Sequence, residues 1–333
     1  MKSFAKKLLI FLTPAVIAVV LFFAFEPYDY FGLKHNSQYL SKPLSTMREV
    51  IRDHPANIIL GDSQMANLNT GYIEELTGTR YTMLGFGGSR VGECIDLFWF
   101  AAEHTHLEKV VFGVNFYSSG GPMDQGRIPS LVPKAENPFR FISGANYWLQ
   151  SIDEAKRLTV NCLAGISGHA EWITEPEDPT TFDHIGVPDE RGAVYRKDLE
   201  EYSDLLLSVI GTDGSFHIED ETMNALGEVI DYCNANGIEI IFVFPPMQES
   251  VFDLVTEPYG IDDDLIRYKQ YLSERATVYD LCYKNAFTVN EDNFYDGLHL
   301  AGEQKKTFAE LIFTDIDSDY VVKLVNGGEN YDH

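Results

Sequence analysis

Ser63, Asp296 and His299 are the residues of this chain whose types could do covalent chemistry together. A serine hydroxyl is a weak nucleophile at neutral pH and needs an adjacent base. The candidate base is His299, in Asp296-Gly297-Leu298-His299, where a spacing of three puts the Asp296 carboxylate on the same side of one turn. A carboxylate so placed orients the imidazole and stabilises its protonated form. Such a trio attacks an acyl carbonyl, and the charge that develops on the carbonyl oxygen needs preorganised donors. The sequence offers three: the Ser63 backbone N–H, the Gly88 backbone N–H in Gly85-Phe86-Gly87-Gly88-Ser89, and the Asn115 side-chain amide. Gly85 and Gly87 compete with Gly88 for the second role. Each residue also has a plainer reading: Ser63 as a helix cap, His299 as a capping histidine, Asn115 as a strand-end turn former.

Elements with the right spacing surround these residues. Asn57 to Leu60 is an apolar run ending in Gly61-Asp62-Ser63, which predicts a buried strand delivering the serine to the C-terminal edge of a sheet. Tyr81 to Leu84 predicts a second strand, running into the glycine-rich loop, and Lys109 to Asn115 a third. Thr70 to Thr77 and Val91 to His104 have helical spacing. Further on, Asp220 to Asn236 predicts an amphipathic helix stopped by Gly237, and Ile238 to Phe244 a strand ended by Pro245-Pro246. Ile261 to Ala276 reads as helix, Val278 to Cys282 as the last strand and Gly302 to Phe313 as the closing helix. Alternation of this kind predicts a parallel sheet covered on both faces.

Composition narrows the class. With 51 acidic against 25 basic residues the formal net charge is -26, a surface that repels phosphate backbones and excludes nucleic acid as a partner. Cys94, Cys162, Cys233 and Cys282 make no CxxC or zinc spacing and read as isolated core thiols. Glu103-His104-Thr105-His106 lacks convergent partners for a metal.

The four blocks, in this order, resemble the SGNH (GDSL-like) hydrolase superfamily: Gly61-Asp62-Ser63, Gly85-Phe86-Gly87-Gly88, Gly113-Val114-Asn115 and Asp296-Gly297-Leu298-His299. Phe116 stands where that superfamily often has Asp after the third-block Asn. The resemblance implies an α/β fold, a three-layer α/β/α sandwich with a central parallel sheet, SGNH or flavodoxin-like. It also implies a Ser63-His299-Asp296 triad with an oxyanion hole from Ser63, Gly88 and Asn115, needing no cofactor and no metal. The SGNH-like α/β domain then covers 51–322, and 323–333 is a C-terminal tail. Within the domain the pattern loosens over about 117–219, an insertion expected to shape the substrate cleft, where Asn146 to Ala164 has helical spacing and Trp172 to Arg196, rich in Pro, Asp, Glu and Gly, reads as irregular structure.

At the other end, Lys2, Lys6 and Lys7 precede an apolar run from Leu8 to Phe25, broken only by Thr13 and Pro14. At 1.5 Å per residue the run spans roughly 27 Å, about the thickness of a bilayer's hydrocarbon. Residues 1–27 therefore read as an N-terminal transmembrane anchor and 28–50 as a juxtamembrane connector, with the N-terminus inside and the domain extracytoplasmic. A cleaved signal peptide is the alternative, against which stands the bulky Phe22-Phe23-Ala24-Phe25 at the end of the run. An anchored SGNH-like domain is similar to bacterial proteins that work beside membrane-bound O-acyltransferases, such as the DltD-like proteins of teichoic-acid D-alanylation and the alginate-acetylation proteins. That likeness implies acyl transfer to, or removal from, a cell-surface glycan or teichoic-type polymer, with a membrane-bound O-acyltransferase as partner. A non-catalytic partner or polymer-binding subunit with the same fold is the alternative.

Overall fold

A computed structural model describes residues 2–24, 26, 30–31, 42–120, 123, 126–167, 199–211, 214–314 and 316–325. The irregular stretch expected over Trp172 to Arg196 lies outside them. The chain divides into two compact units, Met1–Arg48 with Leu131–Pro179, and Glu49–Ser130 with Thr180–His333.

The second unit holds one six-stranded sheet. Its strands are β1 (Asn57–Leu60), β2 (Thr82–Met83), β3 (Lys109–Gly113), β4 (Glu239–Phe244), β5 (Thr277–Asp280) and β6 (Val322–Leu324), in the order β2-β1-β3-β4-β5-β6. The first five are parallel, with Leu60 opposite Phe112, Val111 opposite Ile241 and Phe244 opposite Asp280. β6 is a departure from the all-parallel expectation: it runs antiparallel to β5, Val278 facing Leu324, and takes in the start of the stretch expected as a tail. Three residues at a sheet edge, Val322-Lys323-Leu324, are too few to carry a periodicity signal.

Burial explains why the central strands read as unbroken apolar runs. Ile58 and Ile59 point to opposite faces, as do Val110 and Val111, and all four are 0% exposed. One face packs Ile59, Val111, Ile241 and Val243 against Ile73 and against Phe308, Leu311 and Ile312, from helices Thr70–Thr77 and Gln304–Phe313. Helices Val91–His104, Asp220–Asn236 and Ile261–Ser273 cover the other. There Phe98 meets Tyr232 edge-on and Phe244 meets Tyr268 edge-on, with ring centroids 5.9 and 5.5 Å apart. The strand order reverses between β1 and β3, the switch point at which doubly wound sheets open a crevice beyond their C-terminal edge.

The first unit is helical. Helix Lys2–Ala24 fills the N-terminal apolar run, and its described side chains begin at Phe11. Among the described residues no helix is long and apolar enough to cross a membrane, so the spanning role expected of this one has no support in the fold. Elsewhere in the unit Tyr30 stacks on Phe141 at 4.3 Å under the Arg48 guanidinium, and Arg48 Nη1 donates to Ala135 O at 2.7 Å. Much of the segment expected as a loose insertion is helix: Arg127–Glu136, Pro138–Ile142, Ala145–Ser167 and Leu199–Ile210.

Candidate active site

The turn after β1 is built by its own three residues. Gly61 has φ +141°, a conformation L side chains rarely adopt, and a Cβ there would sit 2.4 Å from Met65 Cγ. Asp62 caps the four-residue helix Ser63–Ala66, its Oδ1 accepting from Gln64 N–H at 3.0 Å. Ser63 is thereby the first helical residue, half-buried, beyond the C-terminal edge of the sheet. The Gly61 carbonyl accepts from Phe86 N–H and from Ser89 Oγ, which fastens the glycine-rich loop beside the serine turn. Gly85 is needed for that approach, since a Cβ on it would meet Gly61 O at 2.5 Å. The loop is held from behind by Glu93, which accepts from Arg90 N–H and, at 2.7 Å, from Arg127 Nη2.

The histidine segment is a closed loop and not a helical turn. Phe294 bridges Leu300, and Tyr295 N–H donates to His299 O at 2.7 Å. Gly297 takes φ +89°. Asp296 Oδ1 accepts from Leu298 N–H and His299 N–H, leaving Oδ2 for the imidazole. The spacing of three thus works through an aspartate-centred turn. His299 Nδ1–H donates to Asp296 Oδ2 at 2.7 Å, and Ser63 Oγ–H donates to His299 Nε2 at 2.7 Å. The carboxylate dictates this tautomer, because it accepts only. Asp296 and His299 are 3% and 6% exposed, so bulk water does not compete for the imidazole.

Asn115 joins the group indirectly. It lies past the end of β3 and caps the short helix Phe116–Ser119, its Oδ1 accepting from Ser118 N–H at 2.8 Å. Its Nδ2 donates to Asp62 Oδ2 at 2.8 Å. An amide carries two N–H donors, so one stays available to a developing oxyanion. Gly88 has φ +70° in an exposed turn. Among the described residues neither its N–H nor that of Ser63 has a hydrogen-bond partner, and Gly88 makes no direct bond to the serine or the histidine. Phe116 is 1% exposed and packs edge-on against Tyr117 and Phe252, so it fills core.

Three further residues complete the constellation without having been singled out by sequence. Asp62 gathers donors from Gln64, Asn115 and Tyr117. Gln64, 5% exposed, donates from Nε2 to the Pro246 and Leu298 carbonyls, and its Oε1 shares the single Tyr117 hydroxyl hydrogen with Asp62 Oδ2. The signal was there for Gln64 alone: a polar residue directly after the serine, flanked by Met65. The expected cysteine reading holds where it is described. Cys94, Cys233 and Cys282 are buried and free, and burial pushes each thiol up to about 12, far from a nucleophile's range.

No protein-family model matches the chain, and no curated protein does. Among solved structures twelve chains match. One is a candidate acylhydrolase from Bacteroides fragilis NCTC 9343, 13% identical, with a TM-score of 0.38, over 84% of this chain and 96% of that one. A likeness that distant carries no reading of the chemistry.

Proposed function

We propose that this chain is a serine esterase or O-acyltransferase of the SGNH type that works outside the cytoplasm on acyl groups of a cell-surface polysaccharide or teichoic-type polymer. What supports the reading is the unbroken hydrogen-bonded line from Ser63 Oγ through His299 to Asp296, at 2.7 Å for each step. In the proposed reaction Ser63 Oγ attacks the acyl carbonyl while its proton passes to His299 Nε2. The tetrahedral oxyanion receives the Ser63 and Gly88 N–H groups and the Asn115 amide. The carbon–oxygen bond to the leaving alcohol then breaks, and His299 returns the proton to that alcohol. Water or a sugar hydroxyl next gives its proton to His299 and attacks the acyl-serine; the bond to Ser63 Oγ breaks and His299 returns the proton to that oxygen. Hydrolysis and transfer share every residue and differ in whether the acceptor or water reaches the acyl-serine.

The extracytoplasmic setting is inferred from the N-terminal apolar run. Phe11 and Val20 on its helix are 79% and 59% exposed, apolar surface that would be better covered by lipid than by water. On that reading a membrane-bound O-acyltransferase would be the partner that delivers the acyl group.

The test is turnover of p-nitrophenyl acetate and labelling by a fluorophosphonate. Both are expected from the purified chain, with labelling abolished in Ser63→Ala and turnover lowered by about 10³-fold or more in His299→Ala. Undiminished labelling of Ser63→Ala would discard the reading. Adding glycan fragments and measuring acylated product against released acid then separates transfer from hydrolysis.

A further inference from the structure

We infer that Gln64 is a positioning residue that sets the reach between nucleophile and base; the inference rests on the Ser63–His299 reading above. Its side chain starts one residue after Ser63 and ends on the carbonyl one residue before His299, at 3.2 Å. The same Nε2 donates to Pro246 O at 3.0 Å, and Oε1 lies 2.8 Å from Tyr117 OH, whose single hydrogen it shares with Asp62 Oδ2. Both amide hydrogens are thus spent on carbonyls and the amide oxygen on a hydroxyl. Turning the amide over would set its oxygen against two carbonyl oxygens, so one orientation is fixed.

The histidine loop needs such a tie. Its internal bonds fix Asp296 relative to His299, but they do not fix the loop relative to β1. External tethers that do so include Gln248 N–H on Gly297 O at 2.8 Å and Gln64 on Leu298 O. Both run through the segment Pro246-Met247-Gln248 that follows β4, Gln64 by its bond to the Pro246 carbonyl. The Ser63–His299 hydrogen bond cannot serve as its own tether, because it is lost once Ser63 carries an acyl group. In the acyl-enzyme the Gln64 bonds remain, and they hold His299 where it must deprotonate the second alcohol or water. Gln64 itself never touches the reacting atoms.

The experiment compares the full chain with Gln64→Met, which keeps the length and loses all three bonds, and Gln64→Glu, which keeps an acceptor for Tyr117 and loses both donors. Rates are normalised to active sites counted by fluorophosphonate titration, so that an unfolded fraction does not count. For p-nitrophenyl acetate, kcat is expected to fall about 10- to 100-fold in both variants with KM within twofold, since near-attack geometry and not ground-state binding is lost. The fluorophosphonate labelling rate should fall in step. A kcat per titrated site within twofold of the parent in either variant overturns the inference and leaves the functional reading standing. A parent chain that is not labelled at Ser63 overturns both.

Discussion

Asp296→Asn is expected to lower kcat by about 10⁴-fold while the chain stays folded, the scale seen where a triad aspartate is replaced by its amide. The loop geometry explains why so small a change has so large an effect. Asp296 Oδ1 holds the two backbone N–H groups that shape the turn, and an amide oxygen does that as well as a carboxylate. The amide nitrogen must then occupy the Oδ2 position, 2.7 Å from His299 Nδ1. It can only donate there, so Nδ1 becomes the acceptor and the imidazole proton moves to Nε2. Two donors, Ser63 Oγ–H and Nε2–H, then face each other, and the base is lost without any movement of backbone. The checks are steady-state turnover of p-nitrophenyl acetate beside the thermal midpoint. A loss smaller than about tenfold with the midpoint unchanged would mean that Asp296 does not set the tautomer.

The parts of this arrangement visible in the sequence are those made by short, local rules. β1, β3 and β4 are apolar because both faces of the sheet are covered, so their runs stand out in any window. Helix Thr70–Thr77 stops at Gly78 with φ +70°, and helix Asp220–Asn236 at Gly237 with φ +69°, the left-handed cap that glycine provides. Gly61, Asp62 and Ser63 each have a separate task in one turn, and this is why the block is recognisable. Of the helices between Arg127 and Ile210, Ala145–Ser167 was legible as Asn146 to Ala164, whereas the two before it were hidden for the opposite reason. Pro133 lies inside Arg127–Glu136, and Pro138 opens the next helix, so residues that ordinarily break a helical pattern are here parts of helices. Asn115 was expected at a strand end, yet its value comes from a cap and from Asp62, contacts that no spacing rule links. The Gln64–Tyr117–Asp62 network is further still from a linear signal. It joins the segments after β1, β3 and β4 to the histidine loop, and only the strand order brings them together.

Lys269→Met should destabilise the chain by about 3–5 kcal/mol, the cost of leaving one member of a buried ion pair without its partner. Lys269 Nζ lies 2.8 Å from Asp280 Oδ2, donates to Cys282 O at 2.7 Å and sits 5.4 Å over the Phe244 ring. Both side chains border a cavity of about 780 Å³ that also touches Met247 and Leu265. They are nonetheless only 6% and 5% exposed, so water at the cavity does not stand in for the ammonium. Asp280 ends β5 and its Oδ1 accepts from Cys282 N–H, so the penalty falls on the strand that carries β6. Equilibrium denaturation of parent, Lys269→Met and the double variant Lys269→Met/Asp280→Asn measures this. The double variant should recover most of the loss, because it removes the carboxylate charge together with the ammonium that faced it. If it is as unstable as the single variant, the packing of the lysine stem and not the ion pair holds this end of the sheet.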